Sequence, residues 1–231
     1  MPFRHRAATR DGPCKRKNRG QLNIRKLKTA KKLRKESIAE YLLYMWQIED
    51  IIRACGCSLP VIEKAYISKF TDYSQEEQEE EADWFADLIR MMNEEGKREF
   101  GHLNINKVLM EDLIDLHKRL LASDRFPLYN AEYYKVLPFI VELREYNRRA
   151  AQKRAEEYGI DEQEALEEVG GSQDEIETCF NAVYGVMLLH MQKKEVTPAT
   201  QHAVEEISKF LATLSAYYLE DETKGLKWSD D

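Results

Sequence analysis

The stretch that decides the fold is residues 40–53, EYLLYMWQIEDIIR. Apolar side chains from Ile38 to Cys55 recur at steps of three and four residues, which places them on one face of an α-helix. The acidic residues fall beside this face, and Glu49 precedes Arg53 by four residues, the spacing of an intrahelical ion pair. The stretch therefore predicts an amphipathic helix with an apolar core face and a charged edge.

Four side chains of this helix form the candidate binding cluster: Trp46, Glu49, Asp50 and Arg53. A catalytic pair of carboxylates would need a second pair facing it from another element, and a core face with a charged edge explains the same residues. We therefore predict a binding location there, assign no individual roles and predict no catalytic residue.

Helical periodicity continues beyond this stretch, and no segment shows sustained strand alternation. Residues 74–77 and 172–175 both match a capping box, S-x-x-E, which marks the start of a helix. The pair Thr197-Pro198 marks the start of the last helix, because proline is favoured in a first helical turn. The sequence predicts an all-α bundle of about seven helices that ends in an antiparallel helix hairpin.

Breaker residues set the other predicted boundaries. One helix should run over residues 74–100 and end at Gly101. A long helix is predicted over 133–158, with Pro138 at its start or at a kink. Residues 161–171 are predicted to form a short acidic connector.

The charge is divided unevenly along the chain. Residues 1–30 hold ten Lys or Arg against one acid, although the whole chain has a net charge of −7. We predict a disordered basic tail over 1–30, or a segment that arises from a mis-assigned start codon, then one helical domain over 31–220 and a polar tail over 221–231. Nucleic acid could bind only through the basic tail, because the remainder is acidic.

Composition excludes several classes of protein. No window approaches the roughly 18 consecutive apolar residues of a membrane span, and no apolar stretch follows the basic N-terminus as in a secretory signal. Four cysteines in 231 residues make no disulfide framework, which favours a reducing cytoplasm. The chain contains no phosphate-binding glycine loop and no nucleophile elbow. Only Glu99 and His102 have the Glu-x-x-His spacing of a di-iron helix, and Gly101 interrupts them.

Two pairs of carboxylates support an alternative function. The sequence has Glu77-x-x-Glu80 and Asp112-x-x-Asp115 on successive long helices. The pattern resembles the Mg²⁺ site of all-α nucleotide pyrophosphohydrolases of the MazG type, which hold the metal with E-x-x-E and E-x-x-D; Asp112 departs from it. Under this alternative Mg²⁺ is the cofactor, and otherwise we predict none.

Residues 31–50, KKLRKESIAEYLLYMWQIED, resemble the opening of a bacterial family of unknown function. In that family a basic stretch leads into I-A-E-Y-x-L-Y-M-W-Q-x-E-D. The resemblance extends from Lys28 to about Tyr218 and implies an all-helical fold and a bacterial, cytoplasmic protein. It implies no activity, ligand or catalytic residue.

The predicted function is a non-enzymatic helical module that binds a protein partner or a second copy of itself. Aromatic side chains are favoured as interface anchors, although at least half of those in this chain should complete the core. The candidates are Tyr129, Tyr133, Tyr134, Tyr217, Tyr218 and Trp228.

Overall fold

The computed structural model describes residues 26–69, 72–169, 171 and 174–228. Within these ranges the chain forms nine α-helices, one 3-10 turn at Ile67–Lys69 and no strand, so the all-α prediction is confirmed. The helices are α1 (Lys26–Glu36), α2 (Ile38–Ala54), α3 (Leu59–Ala65), α4 (Gln75–Glu94), α5 (Asn104–Leu121), α6 (Pro127–Tyr158), α7 (Glu162–Glu168), α8 (Glu175–Met191) and α9 (Pro198–Lys224).

Two unpredicted features raise the number of helices above seven. Ser37 divides the predicted first helix into α1 and α2, and its hydroxyl accepts a hydrogen bond from the Glu40 N–H at 3.3 Å, as an N-cap does. Residues 161–171, predicted to be a connector, contain α7, because the Asp161 carboxylate accepts from the Gln163 N–H at 2.8 Å and starts a helical turn.

The described residues cluster into two compact units. The first contains residues 26–32 and Tyr44–Asn104, and the second contains Leu33–Leu43 and the described residues from Ile105 onward. The prediction of one domain over 31–220 stays a prediction. Its predicted ends differ from the observed helices, since residues 26–30 lie in α1 and residues 221–224 lie in α9. Residues 1–25 of the predicted basic tail lie outside the described residues.

In the first unit, α3 and the 3-10 turn pack against α4. The capping box at the start of α4 is confirmed: the Ser74 hydroxyl accepts from the Glu77 N–H, and the Glu77 carboxylate accepts from the Ser74 N–H. The predicted end at Gly101 is wrong, because α4 ends at Glu94. Gly96, at φ +67°, takes the left-handed conformation that commonly follows a helix end.

In the second unit, α6 packs against α7, α8 and α9, and α8 packs against α9 as the predicted hairpin requires. Helix α6 begins at Pro127, six positions before the predicted start, because proline suits the first helical turn. Pro138 lies inside the helix instead of starting it. Helix α8 begins at Glu175 with Asp174 as its N-cap, whereas Ser172 of the predicted capping box lies outside the described residues.

The aromatic core of the second unit surrounds His117. Its Nδ1 lies 2.6 Å from the Tyr129 hydroxyl, and its ring also makes T-shaped contacts with the rings of Tyr133 and Phe210. The Tyr133 hydroxyl donates to Glu175 Oε2 at 2.7 Å. Tyr129 and Tyr133, two of the six predicted surface anchors, are therefore buried core residues.

The C-terminal segment also joins this unit. The ring of Trp228 lies 5.1 Å from that of Phe126, and the Arg119 guanidinium lies 4.1 Å from the Trp228 ring centroid. Phe126 also contacts Tyr217 edge to face at 5.4 Å. Tyr217 and Trp228 therefore pack within this unit and are only partly exposed.

The buried His117 predicts a pH-dependent stability. Burial lowers the pKa of its imidazole below the ordinary value of 6.5, although Glu175 opposes this shift. Below pH 6.5 the unfolded chain therefore binds a proton at His117 more readily than the folded protein does. The free energy of unfolding is unaffected by this difference above pH 6.5 and decreases as the pH falls below it. Urea unfolding from about pH 7.5 to 5 should show a smaller loss of stability in His117→Gln than in the parent.

His190→Gln is the control, because His190 is exposed. It should change the slope of stability against pH less than His117→Gln does. A parental slope in His117→Gln would contradict the prediction that burial of His117 makes stability depend on pH.

Candidate functional site

The predicted binding cluster assembles around a buried carboxylate on α2. Glu49 has no exposed surface, although it is an acid. Its Oε1 accepts a hydrogen bond from the Leu103 N–H at 3.1 Å, and its Oε2 lies 2.7 Å from Nδ1 of His102. Because an ionised carboxylate can only accept, Nδ1 of His102 carries the hydrogen of this bond.

Arg53 completes the electrostatics of the cluster. Its Nη2 lies 3.7 Å from Glu49 Oε2, and its Nη1 donates to Asp50 Oδ1 at 2.7 Å. The same guanidinium donates to two main-chain carbonyls, from Nε to Lys97 at 3.2 Å and from Nη2 to Gly101. Arg53 therefore pairs with two acids of α2 and binds the backbone of a segment far along the chain.

Trp46 contributes the apolar part of the cluster. Its side chain is buried, and its ring stacks on the His102 ring with centroids 4.0 Å apart and planes inclined by 11°. Trp46, Glu49 and Arg53 are spaced by three and four residues, so one face of α2 presents all three side chains. The structure thus brings together all four predicted residues, with Asp50 held through Arg53.

These contacts converge on the connector, defined as residues 95–103 between α4 and α5. Arg53 holds its Lys97 and Gly101 carbonyls, and Glu49 holds Leu103 and His102. Further bonds run from the Arg98 guanidinium to Asn93 at 2.8 Å and from the Asn104 N–H to the Glu95 carboxylate at 2.7 Å. Gly101, at φ +80°, allows a turn that other residues rarely adopt.

The fixed connector displays one large apolar side chain. Phe100 is 76% exposed, beside residues whose polar and backbone groups are held in place. Sequence patterns identified Trp46, Glu49, Asp50 and Arg53 but not His102, because Glu49 and His102 are 53 positions apart. The Glu99-x-x-His102 pair lies outside any helix, since the structure places none over residues 97–103.

The four carboxylates predicted to hold Mg²⁺ in the alternative function lie on α4 and α5. Glu77 caps α4 and pairs with the Lys28 ammonium at 2.8 Å, while Glu80 is exposed on the same helix. Asp112 and Asp115 are exposed on α5, in the second unit. Among the residues that the structure describes, no group of three or more His, Cys, Asp or Glu could hold a metal ion.

A groove of about 590 Å³ between α6 and α7 is a further candidate. Its lining includes Arg144 and Arg148. Arg144 lies 3.5 Å from Glu175, and Arg148 donates to Glu145 at 2.9 Å. Since acids of the same unit already pair with both arginines, the groove shows no excess positive charge for an anionic ligand.

None of the described helices is long and apolar enough to cross a membrane. The profile of one protein family, the domain of unknown function DUF4924, matches residues 27–161 and 160–225. No curated protein and no solved structure matches the chain.

The buried Glu49 predicts a large effect on stability. Glu49→Ala leaves the Leu103 N–H and the His102 Nδ1 without their acceptor, whereas Arg53 keeps Asp50, so unfolding should become easier by about 1–3 kcal/mol for each of the two lost hydrogen bonds. Glu49→Gln keeps the size of the side chain but loses the charge, and should cost about 1–3 kcal/mol. Urea unfolding monitored by circular dichroism measures both differences.

Asp87→Asn is the control, because Asp87 also pairs with an arginine of its own helix, Arg90, at 3.0 Å, but on an exposed surface. Its cost should stay within about 1 kcal/mol. Equal effects for Glu49→Ala and Asp87→Asn would contradict the importance of Glu49.

Proposed function

The chain belongs to the DUF4924 family of unknown function, and we propose that it is a non-enzymatic helical module that binds a protein partner through the connector. The observation that carries this proposal is Phe100, which is 76% exposed on a segment held by Glu49 and Arg53. The predicted cluster on α2 would then act by positioning the binding segment, without touching the partner itself.

The energetics of Phe100 support this role. An exposed phenylalanine forgoes roughly 1.5–3 kcal/mol of burial free energy, which a partner could recover by covering it. A segment already fixed in its bound conformation loses little entropy on association, so more of that free energy appears as affinity. Buried aromatic anchors of this kind dominate many protein interfaces.

The residues around Phe100 fit the rim of an interface. Arg98 and Glu99 are exposed, and Lys97 is partly exposed. Such a polar border around an apolar centre is typical of non-obligate interfaces. Charges of both signs favour a partner with a mixed charged surface over a uniformly acidic polymer.

The proposed location is the cytoplasm of a bacterium, as cysteine usage and the family resemblance favour. Cys55, Cys57 and Cys179 form no disulfide bond with one another. The alternative function, a Mg²⁺-dependent pyrophosphohydrolase, has no specific support, because Glu77 serves as a cap and a partner of Lys28.

Replacing Phe100 by serine should remove the binding anchor without unfolding the protein. Full-length protein on a support would be used to enrich partners from a bacterial lysate, and a recovered partner would then be titrated by calorimetry. The dissociation constant should rise by at least about 30-fold in Phe100→Ser, the size of an interface hot spot. The melting temperature should stay unchanged.

Tyr146→Ser is the matched control, because Tyr146 is also an exposed aromatic residue, at 71%, but lies on α6. It should keep the parental affinity. A partner bound equally by Phe100→Ser and the parent would contradict the proposal.

A further inference from the structure

Helix α6 carries a second exposed apolar surface, separate from the connector. The α6 stripe is defined as Ala131, Tyr134, Pro138 and Val141, all of which are exposed. Tyr134 is 65% exposed and Val141 is 56% exposed. Their spacing of three, four and three residues is that of the apolar seam along which two helices pair. Along this part of α6, the opposite face supplies the buried residues Tyr133, Val136 and Ile140.

Pro138 lies in the middle of the α6 stripe. Proline weakens a helix interior, because it donates no hydrogen bond to the carbonyl four residues earlier, here that of Tyr134. It nevertheless continues the apolar surface between Tyr134 and Val141. A residue with a backbone N–H would stabilise the helix better at position 138, yet this position carries an apolar proline that continues the stripe.

The charges beside the α6 stripe are self-complementary. Lys135 and Glu142 lie one position after Tyr134 and Val141, on the same edge of the stripe and seven residues apart. A two-fold axis perpendicular to the helix, passing beside it at the level of Pro138, would place Tyr134 of one copy near Val141 of the other. The same axis would place Lys135 opposite Glu142 twice, so each of these two charges meets its opposite.

Lys135 is able to change partners. Its ammonium now pairs with Glu132, three residues earlier on the same helix, and the lysine side chain is 58% exposed. Exposed ion pairs of this kind contribute little. Exchanging Glu132 for Glu142 of a second copy therefore costs little.

We propose that the α6 stripe is a homodimer interface in which the α6 helices of two copies of this chain pair antiparallel about Pro138. The interface goes beyond the proposed function, because it lies on α6 in the second unit and uses no residue of the connector. Phe100→Ser therefore leaves the dimer intact, and the two proposals can fail separately.

Sedimentation equilibrium of the full chain over about 1–200 μM tests the interface. The parent should dimerise, and Tyr134→Glu should raise the dissociation constant at least about tenfold, because a buried seam would then hold an unpaired charge. Tyr146→Glu is the control on an exposed aromatic of the same helix and should dimerise like the parent. Circular dichroism verifies that each variant is folded.

Charge reversal tests the geometry of the dimer. Lys135→Glu alone and Glu142→Lys alone should each weaken self-association at least about tenfold, since like charges then meet twice. Mixing these two variants should restore a dimer of parental affinity, because each copy then carries the charges that the other needs. Lys153→Glu, an exposed reversal elsewhere on α6, should have no effect.

Three outcomes would overturn the proposal of a homodimer through the α6 stripe. A parent that stays monomeric throughout the concentration range shows that the stripe does not pair. A dimer that tolerates Tyr134→Glu uses another surface. Two charge variants that fail to associate on mixing exclude the antiparallel two-fold arrangement.

Discussion

The fully buried carboxylate of Glu49 is the constraint on which the first unit depends. A buried ionised group is stable only if donors surround it, since its unpaired burial costs several kcal/mol. The Leu103 N–H and His102 supply those donors, and the Arg53 guanidinium adds a positive charge 3.7 Å from the carboxylate. Leu103 and His102 lie 54 and 53 positions after Glu49, so only the folded chain brings them close to it. The carboxylate therefore makes the position of the connector a condition for stable folding of α2.

The consequences extend from this carboxylate to the surface. Once Leu103 and His102 bond to Glu49, the ring of His102 covers Trp46, and the guanidinium of Arg53 reaches the Lys97 and Gly101 carbonyls. The backbone between these points is short, so Phe100 is held outward on a fixed turn. The conformational entropy of the connector is lost on folding, which leaves less to lose when a partner binds.

Much of the fold was predictable because it follows from local chemistry. The apolar period of residues 38–55 predicted α2, the capping box at Ser74 predicted the start of α4, and Thr197-Pro198 predicted the start of α9. Predictions were wrong where two local signals competed. Gly96 ended α4 before Gly101 could. The cap formed by Asp161 started α7 within residues 161–171, where no helix was predicted.

The candidate site was predictable only in part. Helical spacing alone groups Trp46, Glu49 and Arg53 on one face of α2. His102 and the carbonyls of the connector could not be found in the same way, because they meet α2 through tertiary contacts about 50 residues away in sequence. The acids of the alternative metal site illustrate the opposite problem. Their i,i+3 spacing is real, but the Glu77 carboxylate already accepts the Ser74 N–H and pairs with the Lys28 ammonium.

Amide hydrogen exchange at the connector tests most directly whether Glu49 holds this segment in place. The Leu103 N–H donates to Glu49 in a buried position, so its exchange should be slowed by on the order of a hundredfold or more relative to an unstructured peptide. The exposed Arg98 and Phe100 positions provide a comparison within the same segment. Exchange of the Leu103 amide at the rate of an unstructured peptide would contradict the account, because the connector would then move independently of α2.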